Sequence, residues 1–136
     1  MHFLHEKWVV LFAETLRNNM FVLKCNCANM MGIVEEGIRE VARVTKNGGK
    51  LLNGFLNIKE DSKGFETIKK ICSENDMAGG EKACLDKAIF EWHDKYFSEV
   101  EKHVIVEDIY ESKENKLDLL PYPGEWFAYV TYEGRK

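Results

Sequence analysis

His93 and His103 flank the end of a helical pattern and have Glu91, Asp94 and Glu107 as sequence neighbours, and cysteines stand at positions 25, 27, 72 and 84. Imidazole, carboxylate and thiol are the groups that move protons, bind zinc or attack as nucleophiles near neutral pH. Each use needs a spacing that brings the groups together. The segment around His93 has no His-Glu-x-x-His pair, the arrangement that puts two zinc ligands on one helical face. His93 therefore reads as an imidazole at the edge of an apolar stripe, satisfied by one hydrogen bond. Cys25 and Cys27 share one side of an extended segment, and Cys72 or Cys84 with a histidine would complete a zinc set. Structural zinc sites use two tight ligand pairs, and the second pair is missing, so buried free thiols and no metal are expected. There is no G-x-S-x-G elbow and no glycine-rich turn followed by Lys-Ser or Lys-Thr. No catalytic residue is assigned.

The remaining concentration is acidic and aromatic. "VEDIYESKENKLD" and "PYPGEWFAYVTYEG" set Glu107, Asp108, Glu111, Glu114, Asp118 and Glu125 beside Tyr110, Tyr122, Trp126, Tyr129 and Tyr132. Aromatic side chains carry much of the energy of protein interfaces, and acids around them steer a basic partner. Glu107, Asp108, Tyr110, Glu111, Tyr122, Trp126 and Tyr132 are the candidate partner-binding residues.

One stretch points elsewhere. "E-x-x-R-V-T-K-N-G-G-K-L", Glu40 to Leu51, resembles the helix-to-strand junction in the second half of class I S-adenosylmethionine-dependent methyltransferases, which read Glu, Arg, Val, Leu, Lys, Pro, Gly, Gly before their fifth strand. By that resemblance "FVLKCNCANMM" stands at the fourth strand and the C-terminal pair of strands at the last two. The sequence departs from the family at Thr45 and Asn47. It also holds no GxGxxG-type run, and the residues before Met20 are too few for the cofactor-binding half. No cofactor is assigned. The resemblance implies an open crevice beside Asn47 to Gly49.

These residues need a scaffold, and composition bounds it. The 136 residues are 45% hydrophobic and 31% charged, which fits a single folded domain large enough to need no metal or disulfide staple. A net charge of -4, with lysines alternating with acids, argues against nucleic acid as a partner. The longest apolar run, Trp8 to Ala13, is too short for a membrane span, and a cytoplasmic location is expected.

Periodicity supplies the elements. Residues 3–18 read as a largely buried helix, with a strand in a hairpin as the alternative, and "MFVLKC" reads as a strand. A helix starting at Asn29 puts Met30, Ile33, Val34, Ile38, Val41 and Val44 on one face, with Gly37 among them. "NGG" at 47–49 is expected to end it as a C-cap. "LLNGFLNI" is a strand in which Gly54 marks a bulge or close contact. Ser62 caps a short helix carrying Phe65, Ile68, Ile71 and Cys72. A long helix from Glu81 to Val100 aligns Leu85, Ala88, Ile89, Trp92, Tyr96 and Val100. "VIVEDIYE" alternates, as do residues 126–132, and the two form strands that pair.

The expected fold is a single α+β domain over residues 1–136, a mixed sheet of about four strands against about four helices. The expected function is a small, non-enzymatic cytoplasmic inhibitor of the immunity-protein, antitoxin or phage counter-defence type, occluding a basic protein partner. The alternatives are a methyltransferase-like α/β protein or small-ligand binder completed by another subunit, and a structural subunit assembling through the edge of strand 124–133.

Overall fold

A computed structural model describes residues 20–24, 32–111 and 121–136. The expected helix over residues 3–18, Cys25, Cys27, Asn29, Glu114, Asp118 and the polar turn at 112–116 lie outside the described residues.

Strand β1 (Met20–Lys24) forms where the β-branched and aromatic run predicts it. Helix α1 (Val34–Val44) buries Val34, Gly37, Ile38, Val41 and Ala42 and carries Glu35 and Glu36 in its first turn and Arg43 in its last, the polarity that suits the helix dipole. It stops before the glycine pair. Thr45 turns to extended backbone, and its hydroxyl donates to the Val41 carbonyl at 2.5 Å. Asn47 to Gly49 make a separate turn instead of a C-cap, with Gly48 at φ +85°, a conformation a Cβ would strain.

Strand β2 (Lys50–Ile58) buries Leu51, Asn53, Phe55 and Asn57 on one face. Gly54 marks neither bulge nor contact: it pairs in regular register with Lys24 and Thr131, and an added Cβ would meet nothing within 4 Å. Helix α2 (Lys63–Glu74) starts at Ser62, whose Oγ accepts from the Phe65 amide at 3.1 Å.

The single helix expected from Glu81 to Val100 is three pieces. A 3-10 turn (Gly80–Cys84) is followed by Leu85 in extended backbone and then by α3 (Asp86–Tyr96). Strand β3 (Glu99–Ile109) already contains Val100. The four-residue spacing from Tyr96 to Val100 fits one helical turn and also two strand repeats. Extended backbone at Phe97 decides for the strand, and its ring enters the core.

Strand β4 (Trp126–Arg135) completes a sheet of order β1-β2-β4-β3, with β1 parallel to β2 and both β2 and β3 antiparallel to β4. The mixed α+β architecture is therefore present. The core formed by the described residues lies on one face of the sheet, where Val34, Ile38 and Val41 of α1 and Ile89 of α3 meet Leu51, Phe55, Ala128, Val130 and Tyr132. A second cluster joins Ile58 to Phe65, Ile68, Cys72 and Cys84. β4 has a strand on each side, so the edge expected at 124–133 is not free. Among the described residues the outer strand beyond β4 is β3. No described helix is long and apolar enough to cross a membrane.

Candidate functional site

Among the described residues, polar chemistry sits in two places, one inside and one outside. The inside row begins at His93, which is fully buried at the centre of the α3 face and not at its edge. Its Nδ1 lies 2.8 Å from the Ile89 carbonyl, so Nδ1 carries the proton and Nε2 faces the Asn53 amide nitrogen at 3.5 Å. Burial pushes the imidazole down to about 4, against the bond to Ile89. The ring stacks on Tyr132 at 5.4 Å between centroids. The Tyr132 hydroxyl accepts from Asn57 Nδ2 at 2.7 Å and donates to Asp86 Oδ1 at 2.6 Å. Lys102 Nζ closes the line on Asp86 Oδ2 at 3.0 Å. Burial, then the Asp86 bond, raises the Tyr132 phenol. A neutral imidazole and a neutral phenol, sealed from solvent, hold α3 to β2 and β4.

Tyr132 therefore leaves the partner-facing set, because none of its side chain is exposed. Tyr122 and Glu125 are tied inward as well. The Tyr122 hydroxyl is 2.9 Å from Thr67 Oγ1, and the Glu125 carboxylate accepts from the Lys63 and Gly64 amides at 2.8 and 3.1 Å. An acid at the N-terminus of α2 is a dipole cap, and that is its use here.

The other candidates divide between the two faces of the β3/β4 ladder. Alternation places Glu107, paired with Ala128, and Trp126 on the helix-bearing face, where Trp126 Nε1 donates to Glu107 Oε1 at 2.9 Å. Asp108, paired with Phe127, and Tyr110 lie on the opposite face. There Tyr110, Phe127 and Tyr129 make successive edge-to-face contacts at 6.2 and 6.1 Å, and Val106 pairs directly with Tyr129. Val104, Ile105, Val106, Ile109 and Tyr129 are exposed, Ile105 at 64%. The exposed aliphatic run of β3 was not among the predicted site residues. Reading "VIVEDIYE" as an alternating strand hides it, because alternation sends part of Val104, Ile105 and Val106 to a covered face and all three are exposed.

Lower on the same face, Glu101, His103 and Glu133 bring three donor atoms within 4.8 Å of one another. A divalent cation could be held by such a set, but Glu133 already has cationic partners. Its Oε1 meets Lys50 at 3.3 Å and Arg135 at 3.4 Å, and its Oε2 meets His103 at 3.5 Å. Burial opposes ionisation, yet Lys50, His103 and Arg135 together hold the carboxyl below its usual range. An ion-pair network accounts for the cluster, beside a cavity of about 400 Å³ lined by Glu99, Val100, Glu101, Glu133 and Arg135.

Cys72 and Cys84 are buried free thiols, with Cys84 pushed up to about 12 by burial and by its neighbours Cys72 and Glu81. Neither is poised as a nucleophile.

The crevice implied beside Asn47 to Gly49 is filled. The Gly48 amide donates to the Lys136 carbonyl at 2.8 Å, the Lys136 amide donates to Gly49 at 3.0 Å, and Lys136 Nζ reaches the Ala42 carbonyl at 2.6 Å. The turn lies at the amino end of β2, whereas ligands of open α/β sheets bind outside the carboxyl ends of parallel strands. No family model, curated protein or solved structure matches the chain.

Proposed function

We propose that the chain is a protein-binding module that occludes a partner with a basic surface through the bare face of β3 and β4. The observation that carries this reading is the exposed apolar surface of Val106 and Tyr129, continued by Phe127 and Tyr110 and bordered by Asp108. Exposed aliphatic and aromatic side chains with charges at their border have the anatomy of an interface, an apolar centre inside a polar rim. Glu111, just past the end of β3, extends the acidic rim, and Glu107 adds negative charge from the other face of the strand. Acids at a rim raise the rate of encounter, while Tyr129 and Val106 supply the desolvated centre. Inhibition of the immunity-protein, antitoxin or counter-defence type, within the cytoplasm, is the role such a surface serves.

The test is capture of the partner with the tagged full chain, followed by association kinetics. The reversal E107K/D108K/E111K is expected to slow association by about tenfold or more at low salt. Tyr129→Ala is expected to speed dissociation. If both variants bind as the parent does, the surface is wrong.

A second reading keeps one observation in its favour. β1 and β2 are parallel neighbours joined through α1 and the Asn47 to Gly49 turn, and the last two strands join the same sheet, the succession that the methyltransferase resemblance implies. Such a protein would bind S-adenosylmethionine at the carboxyl ends of β1 and β2, alone or with a second subunit. Calorimetry of the full chain with S-adenosylmethionine reads this directly, and absence of heat with and without the copurified partner removes it.

A further inference from the structure

The outer edge of β3 carries a charge order of which the partner reading uses only the acidic half. From Lys102 the strand runs Lys, His, Val, Ile, Val, Glu, Asp, so two basic side chains and two acidic ones lie symmetrically about Ile105. Among the described residues β3 has β4 on one side and no strand on the other. Its middle is apolar and open, with Val104 at 51% and Ile105 at 64% exposed. The β4 register shifts between Val104 and Val106, so Ile105 is left out of that ladder.

Charges and bulges are also what proteins use to keep edge strands from pairing. The order of signs separates the two uses. Charges that block self-association are placed so that like meets like when two copies approach. Here an antiparallel approach about a two-fold axis near Ile105 sets Lys102 and His103 of one copy alongside Glu107 and Asp108 of the other, at both ends of the contact. Opposite charges across an antiparallel pair are favourable, and the apolar Val104, Ile105 and Val106 meet at the axis. A parallel approach in register would set each charge beside its own copy.

We propose that β3 pairs antiparallel with β3 of a second copy of this chain, centred near Ile105, joining two sheets into one continuous sheet. A two-fold contact of this kind is closed, so the product is a dimer and nothing larger. The pairing uses the backbone edge and leaves Tyr129 and Phe127 bare on each copy. It stands on the edge of β3 and not on the partner reading.

Sedimentation equilibrium of the full chain alone, over a wide concentration range, is the experiment. The expected result is a monomer-dimer equilibrium that Ile105→Lys shifts to monomer while far-ultraviolet circular dichroism stays unchanged. E107K/D108K sets only basic side chains together at each end and is expected to weaken the dimer by about tenfold or more. K102E/H103E does the same from the other side, although Lys102 also loses its bond to Asp86. An equimolar mixture of these two variants restores opposite signs, and recovery of dimer in the mixture alone would establish the orientation. A parent chain that is monomeric throughout, a species larger than a dimer, or a mixture no tighter than its components overturns the proposal. None of these outcomes involves the basic partner, so that reading is tested separately.

Discussion

His93 is the group through which acid reaches this core. Its folded value of about 4 lies below the ordinary 6.5, so the unfolded chain takes up the proton first. The stabilisation is complete above pH 6.5 and is lost as pH falls from about 6.5 toward about 4, a change of about 3 kcal/mol. Urea denaturation at pH 7 and pH 5 is expected to show about 2 kcal/mol of that loss, and His93→Gln, which does not ionise, is expected to flatten the slope. Tyr132→Phe removes a hydroxyl that serves both Asn57 and Asp86. A cost of about 1 to 3 kcal/mol is expected in the same assay, because Asn57 is left buried without its partner. None of this row was legible in the sequence beyond single residues. Alternation in "WFAYVTY" tells that Trp126, Ala128, Val130 and Tyr132 share a face, but not which face is covered. Helices α1 and α3 decide that, and with them that Tyr132 is interior while Tyr129 is exposed. His93 was placed at the edge of its stripe because Asn53, its partner, lies forty residues away.

At the scale of elements, the strands and α1 were readable because local patterns specify them. The break at Leu85 and the early stop of α1 were not, since a 3-10 turn keeps helical spacing for a few residues and Thr45 ends the helix through its own hydroxyl. The close fit of Phe97 against β4 was equally hidden. A Cβ at Gly134 would come within 2.7 Å of the Phe97 ring. Gly134→Ala is expected to lower stability by about 1 to 3 kcal/mol, since the buried ring must be displaced. Gly54 is the control. Open space and regular pairing there mean that Gly54→Ala is expected to raise the thermal midpoint, by the roughly 0.5 to 1 kcal/mol that glycine costs inside a strand.

For the whole molecule, sheet order is the property that no local pattern carried. β1 and β2 could pair in parallel only because α1 provides the crossover, and the last strand lies between two earlier ones. That arrangement predicts a gradient of protection. Amide exchange is expected to be slowest in β2 and β4, which have a neighbour on each side, and, at concentrations where the chain is monomeric, faster for the amides of β3 directed away from β4. The acidic and aromatic residues were found in sequence, but their division between two faces was not, because the bulge near Ile105 changes which residues face together.

The position of β4 also sets when the protein can exist. The strand that holds the sheet together comes after the other described strands in sequence, so the ribosome makes it after them. Until then Leu51 and Phe55 have no Gly134 or Val130 to meet, and β3 has nothing to pair with. Synthesis therefore exposes β2 and β3 before the segment that joins them exists, with their apolar side chains waiting on it. A stop codon in place of Trp126 would leave not a smaller domain but none.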